Sequence, residues 1–235
     1  MKTWHTKSGY TIVRVVSGRS NVFLLSAGGK NILIDTGPAM MWRTLSNRLV
    51  KLNIHSIDFL ILTHSHFDHA ANAKRIKLLF GAKVFIHKSE SDCLDNGINP
   101  VTRGTNFMYR FFVVFLNKSI AGFLSYDPCD YDYQVDTCFS LEEYGLNAYI
   151  LHTPGHTVGS MSLIIDNEIA IAGDSMFGVF RNSIYPPLAA DPGLMIESWG
   201  QLLDTGCSLF LPSHGSGDTR DLVEKEYNKR ISHGK

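Results

Sequence analysis

The chain has 235 residues, 44% of them hydrophobic, and 22 lysines and arginines stand against 22 aspartates and glutamates. That length and apolar share suit one α/β unit with a sizeable core, residues 1–235. The balanced charge excludes the basic footprint expected of a nucleic-acid binder, and no uncharged apolar run approaches the ~18 residues needed to span a membrane. Residues 1–7 carry no apolar export signal, so a cytoplasmic protein is expected. The four cysteines, Cys93, Cys129, Cys138 and Cys207, show no C-x-x-C spacing. They read as reduced, structural thiols, with a Cys129–Cys138 bridge as the alternative.

In chain order, residues 10–16, 22–26 and 31–35 read as short strands, the last two joined by a turn at Gly28-Gly29. Asp35 closes the third strand, and a helix follows over about 39–52. The apolar run 59–62 leads directly into Thr63-His64-Ser65-His66-Phe67-Asp68-His69. Side chains alternate faces along an extended chain, so His64 and His66 can share one side. Asp68 and His69 can join them only if the backbone turns there, and the helical pattern over 70–80 supplies that exit. Residues 83–87 form a further strand.

The stretch 88–132 breaks this rhythm. It contains a dense apolar block with Tyr109, Phe111 and Phe112, interrupted by Arg110, Asn117 and Lys118. It reads as a helical insert that covers a cleft as a lid and gives a small-molecule substrate an apolar wall. A core helix and a subunit interface of a homodimer remain the competing readings. Beyond it, strands are expected near 146–151, 161–165 and 168–172, with Asp166-Asn167 as a hairpin turn, followed by helices over about 192–203 and 219–231.

Imidazole nitrogens and carboxylate oxygens are the ligands of zinc and related divalent transition metals. Three histidines and an aspartate within six consecutive positions therefore point to a metal site. His156, Asp174 and His214 each follow an apolar run, as the first cluster does. Each alone would be an ordinary loop residue. Together they describe a rim where several strands end, which is how sites are built from loops on a sheet scaffold.

With these residues in place, the chain resembles the metallo-β-lactamase-fold hydrolases, over nearly its whole length and in the family's motif order. The resemblance implies a four-layer αββα sandwich carrying the helical insert. It implies two divalent transition metal ions, zinc first, with iron or manganese as alternatives. His64, His66 and His156 would hold the first, Asp68, His69 and His214 the second, and Asp174 would bridge them. A hydroxide between the ions would attack an ester, lactone or thioester carbonyl of a small molecule, and Asp68 would pass a proton to the leaving group. Asp35 would accept a ligand histidine N–H from behind; a plain turn residue is the other reading of that position. The retained bridging aspartate sets the chain apart from the antibiotic-degrading branch and nearer the glyoxalase II and lactonase branch. The alternative reaction is that of a mononuclear iron oxygenase resembling the persulfide dioxygenases. His87 and His152 end strands on the rim side and are left as surface or core histidines.

Overall fold

The computed structural model describes residues 1–100, 105 and 125–233. Two mixed sheets face each other, and each uses a continuous stretch of chain with its strands in sequence order. The first holds β1 (Lys2–His5), β2 (Thr11–Val16), β3 (Val22–Ala27), β4 (Lys30–Ile34), β5 (Phe59–Ile61), β6 (Lys83–His87) and β7 (Tyr133–Val135). Pairing is antiparallel from β1 to β4 and parallel from β4 to β7. The second sheet holds β8 (Cys138–Ser140), β9 (Ala148–His152), β10 (Met161–Ile165), β11 (Ile169–Gly173), β12 (Leu209–Pro212) and β13 (Asp218–Thr219); β11 and β12 pair in parallel and the other neighbours antiparallel.

Parallel neighbours require crossover connections. Helix α1 (Trp42–Lys51) connects β4 to β5; α2 (Phe67–Ala70) and α3 (Ala73–Phe80) connect β5 to β6; α4 (Ser91–Asn96) follows β6. Helix α5 (Pro192–Asp204) connects β11 to β12, and α6 (Arg220–His233) packs beside it. Asp191 caps α5 by accepting from the Leu194 backbone N–H at 3.0 Å, with Pro192 at the first helical position, the arrangement that fits proline's missing donor.

The central strands are apolar on both faces because both are covered. In β4, Ile32 and Ile34 point into the space between the sheets with Phe23, Phe59, Phe85, Ile150 and Leu163, while Leu33 points outward to Leu45 and Leu49 of α1. On the far side Ile164, Ala170 and Phe210 meet Trp199 and Leu202 of α5 and Val223 of α6. The three apolar clusters define four layers, α/β/β/α. Each fully buried Leu, Ile or Phe contributes roughly 1.5–3 kcal/mol relative to exposure.

The expected single helix over 70–80 is instead two, broken at Ala71 and Asn72. Tertiary hydrogen bonds override the local pattern: the Asn72 Nδ2 donates to the carbonyls of Thr36, Gly37 and Pro38, each at 3.1 Å, and its backbone N–H donates to Thr36 Oγ1. The hairpin turn at Asp166 and Asn167 is formed with both residues at positive φ, the pattern of a type I′ turn. None of the four cysteines is disulfide-bonded. No helix among the described residues is long and apolar enough to cross a membrane.

Asp218, in β13, is buried, and its Oδ2 meets no hydrogen-bond partner among the described residues. Burial pushes its carboxyl up to about 6. An acid with a higher pKa folded than unfolded binds more protons in the folded state between about pH 4 and 6. Its contribution to stability therefore falls as pH rises through that window. Asp218→Asn should be more stable than the parent at pH 7.5, on the order of 1–2 kcal/mol in denaturant unfolding, and should lose most of that advantage at pH 4. Equal differences at both pH values would show that the carboxylate carries no ionic penalty.

Candidate metal centre

The site lies where the carboxyl ends of β4, β5, β9, β11 and β12 meet at one edge of the sandwich. Asp35 leaves β4 with φ of 60°, a conformation that aspartate tolerates better than most residues. His64 and His66 follow β5, and His66 precedes the first turn of α2, which carries Asp68 and His69. Gly173 ends β11 at a φ of 58°; a Cβ there would fall 2.9 Å from the Thr63 Cβ. Glycine lets this strand end press against Thr63, so that Asp174 turns in toward the histidines.

The structure brings all seven sequence-identified residues together. His64 Nε2 lies 2.7 Å and His156 Nε2 3.2 Å from His66 Nδ1. Asp68 Oδ1 is 3.7 Å from His69 Nε2, and its Oδ2 is 3.4 Å from His214 Nε2. Asp174 Oδ2 sits between the two groups, 3.5 Å from His156 Nε2, 3.6 Å from His69 Nε2 and 3.3 Å from His214 Nε2.

The hydrogen bonds on the far sides of the rings fix which nitrogen faces inward. His69 Nδ1 donates to Asp35 Oδ2 at 2.8 Å, and His156 Nδ1 to the Leu188 carbonyl at 2.9 Å. His66 uses Nε2 toward the Pro100 carbonyl at 3.2 Å. Thr63 Oγ1 donates to Asp35, so His64 Nδ1 donates to that hydroxyl at 3.1 Å. Each ring thus presents its remaining nitrogen to the centre, which is how a metal-ligating histidine is oriented.

Lone pairs of His64, His66 and His156 converge with no proton to share. His69 Nε2 and Asp174 Oδ1 are buried without a hydrogen-bond partner among the described residues. Buried polar atoms of this kind carry a cost unless something satisfies them. Divalent transition metals suit this donor set, with His64, His66 and His156 on one side, Asp68, His69 and His214 on the other, and Asp174 grouped with His64 and His69 between them.

Electrostatics divide the site the same way. Burial, then the His156 charge, pushes His66 down to about 3. Burial, reinforced by His69 and His66, holds His64 well below its ordinary value, and burial also lowers His156. These three are neutral donors at pH 7. Burial acts against a charged His69 and His214 too, but the carboxylates outweigh it: Asp68, Asp174 and Asp35 raise His69 well above its usual value, and Asp174 and Asp68 raise His214 to about 10.

Asp35, expected behind a ligand histidine, is joined by supporting residues that carried no signal in the sequence, among them Asn21 and Ser213. Asp35 accepts not only from His69 but also from the Thr63 backbone N–H at 2.8 Å and Ser213 Oγ at 3.1 Å. The Asn21 backbone N–H donates to the Ser213 carbonyl, and its Nδ2 to the carbonyls of Pro212 at 2.8 Å and Gly215 at 3.0 Å. A loop of the first sheet thereby clamps the segment bearing His214, and Phe177 lies against the His214 ring at 5.0 Å between centroids. His87 and His152 stack on each other at 4.0 Å and bond to the carbonyls of Asp136 and Val158, away from the centre. Tyr109, Phe111 and Phe112 lie outside the described residues.

Comparison with known proteins agrees with this geometry. Residues 16–214 match the family model described as the metallo-beta-lactamase superfamily. A Methanocaldococcus jannaschii protein named as a probable metallo-hydrolase is 35% identical over 160 residues, 67% of this chain and 68% of its own length. An atrochrysone carboxyl ACP thioesterase of Aspergillus chevalieri is 26% identical over 87% of this chain; the chain spans only 56% of that relative. Among solved structures, a metallo-beta-lactamase family protein of Thermus thermophilus superposes with a TM-score of 0.68 at 20% identity, covering 95% of this chain and 79% of its own. A protein solved in a di-iron-bound form gives 0.66 at 21% identity, covering 91% and 98%. The chain belongs to the metallo-beta-lactamase superfamily.

Proposed function

We propose that the protein is a hydrolase that holds two divalent transition metal ions and cleaves an ester, lactone or thioester of a small molecule. The observation that carries this reading is the position of Asp174 Oδ2, within 3.6 Å of ring nitrogens from both groups of ligands. One carboxylate oxygen so placed suits a pair of ions better than one. His64 Nε2, His66 Nδ1 and His156 Nε2 would hold the first ion; Asp68, His69 Nε2 and His214 Nε2 the second, with Asp174 between. Ions in such a pair lower the pKa of a bound water towards about 7 and polarise the carbonyl that it attacks.

The protein's own groups do the rest. Asp35, Thr63, Pro100 and Leu188 keep the ligand rings in the tautomer that leaves a lone pair toward the centre. Asp68 is the more exposed of the two clustered carboxylates, 19% against 8% for Asp174, so it would reach an entering substrate, take up the proton released by the attacking water and hand it to the leaving oxygen or sulfur. Described residues of the 88–132 stretch reach segments next to the centre: the Asn99 Oδ1 accepts from the Phe67 N–H, and the Thr105 hydroxyl donates to the carbonyls of Pro186 and Pro187. The similarity to an ACP thioesterase supports a thioester within the substrate class.

Elemental analysis of protein expressed in defined metal, followed by a panel of esters, lactones and thioesters, tests the reading. Two ions per chain and turnover without oxygen are expected. One iron per chain with oxygen uptake on persulfide substrates would replace it by the dioxygenase alternative. The hydrolytic rate should rise with pH through an apparent pKa near 7 and then level off. A rate that stays flat from about pH 5 to 9 while chemistry limits turnover contradicts the proposal.

A further inference from the structure

Glu90 is the buried group that the chemistry above leaves unexplained. It follows β6, far from any ligand in sequence, and is only 2% exposed. Its Oε2 accepts from the Ser65 backbone N–H at 2.5 Å and from Ser65 Oγ at 2.7 Å. Its Oε1 accepts from Thr157 Oγ1 and from the Gly159 backbone N–H at 3.2 Å. Ser65 stands between His64 and His66, and Thr157 directly follows His156. One carboxylate thus holds, one oxygen to each, the two backbone segments that carry the three-histidine group. One segment leaves the first sheet and the other leaves the second.

We infer that Glu90 is a positioning residue, a strut that sets the separation of the His64–His66 segment from the His156 segment and so shapes the three-histidine half of the centre. The argument rests on the two-ion reading above. All four partners donate, and an ionised carboxylate is the side chain that only accepts, at both oxygens. Hydrogen bonds to a charged acceptor are about twice as strong as neutral ones, and here they are buried. Tyr126 strengthens the arrangement from the other side, its hydroxyl donating to the Ser65 carbonyl at 2.7 Å. A Gln at position 90 keeps the length but turns an NH2 group onto one of the two backbone N–H donors. An Asp is too short by one methylene to reach both segments. The selectivity follows from the geometry: Asp68, His69 and His214 receive nothing from Glu90 and are held by Asp35, Thr36 and Asn21 instead.

The test measures metal affinity in two backgrounds. His214→Ala leaves the three-histidine half intact; His66→Ala leaves the other. Competition titrations with zinc, together with cobalt(II) absorption spectra, are run with and without Glu90→Gln. Glu90→Gln should weaken binding about 10–100-fold in the His214→Ala background, the range for groups that orient a ligand, and change the cobalt spectrum. It should change affinity less than about threefold in the His66→Ala background. Ser65→Ala, which removes one donor and leaves the carboxylate, should give a smaller loss in the same half, and it carries the test if Glu90→Gln does not fold. Equal losses in both backgrounds, or a lower melting temperature with unchanged affinities, overturn the inference and make Glu90 a general stabiliser. A parent chain that binds no metal at all overturns the two-ion reading and the inference with it.

Discussion

Asp174→Ala should release one of two bound ions and lower hydrolytic turnover by more than about 100-fold, beyond the 10–100-fold typical of residues that merely support a ligand. The expectation rests on placement: Asp174 Oδ2 lies 3.3–3.6 Å from ring nitrogens of His69, His156 and His214. Alanine removes the shared donor and a buried negative charge beside His69 and His214. Asp174→Asn separates those two losses, since it keeps one oxygen in place without the charge. Metal content after gel filtration and turnover on the best substrate of the panel are the readouts. An alanine variant that keeps two tightly bound ions and full turnover removes Asp174 from its bridging position.

The second large effect belongs to Asp35. Its carboxylate collects donors from Thr63, His69 and Ser213 in the interior, and it stands at a φ of 60°. Alanine there leaves these donors unmatched and gives up the local side-chain bonding that lets aspartate and asparagine tolerate the left-handed region. Together these should cost on the order of 3–5 kcal/mol of stability, the range for breaking a buried charged pair. Metal affinity in the half containing His69 should fall about 10–100-fold. Asparagine accommodates the same backbone and retains one acceptor, so Asp35→Asn should lie between parent and alanine variant in both measurements. If alanine and asparagine variants unfold at the same denaturant concentration and bind metal as the parent does, Asp35 is a turn residue and nothing more.

Much of the sandwich was legible because its central strands are short, apolar and closed by turn residues. The strand read at 161–165 is observed as Met161–Ile165, and the helix read over 192–203 is observed as Pro192–Asp204. Edge elements were not legible. β1, β7 and β8 are three or four residues long and partly exposed, so neither length nor alternation separates them from loop. The inward-facing residues were visible for a local reason: His64, His66, Asp68 and His69 are close in sequence, and one spacing of two in the segment after β5 followed by the first turn of α2 brings them to one place. Glu90, Asn21 and Thr36 were invisible because their partners are remote in the chain, and a lone glutamate or asparagine after an apolar run has no pattern of its own. The break at Asn72 has the same origin, since three carbonyls from another loop decide it.

The two sheets are built from successive halves of the chain, β1–β7 and then β8–β13, yet the candidate centre draws on both. During synthesis the His64–His69 group emerges with the first sheet, while His156, Asp174 and His214 arrive later with the second. On the two-ion reading, a nascent chain would present half a coordination shell to the cell's metal pool before the rest exists, and metal caught at that stage would complete its shell only when the second sheet docks. Ions held there would act as an adhesive between halves that the Asn21 clamp also joins. At free metal a thousandfold above its dissociation constant, that adhesion is worth about 4 kcal/mol, so metal supply during growth should govern the yield of folded protein as well as its activity.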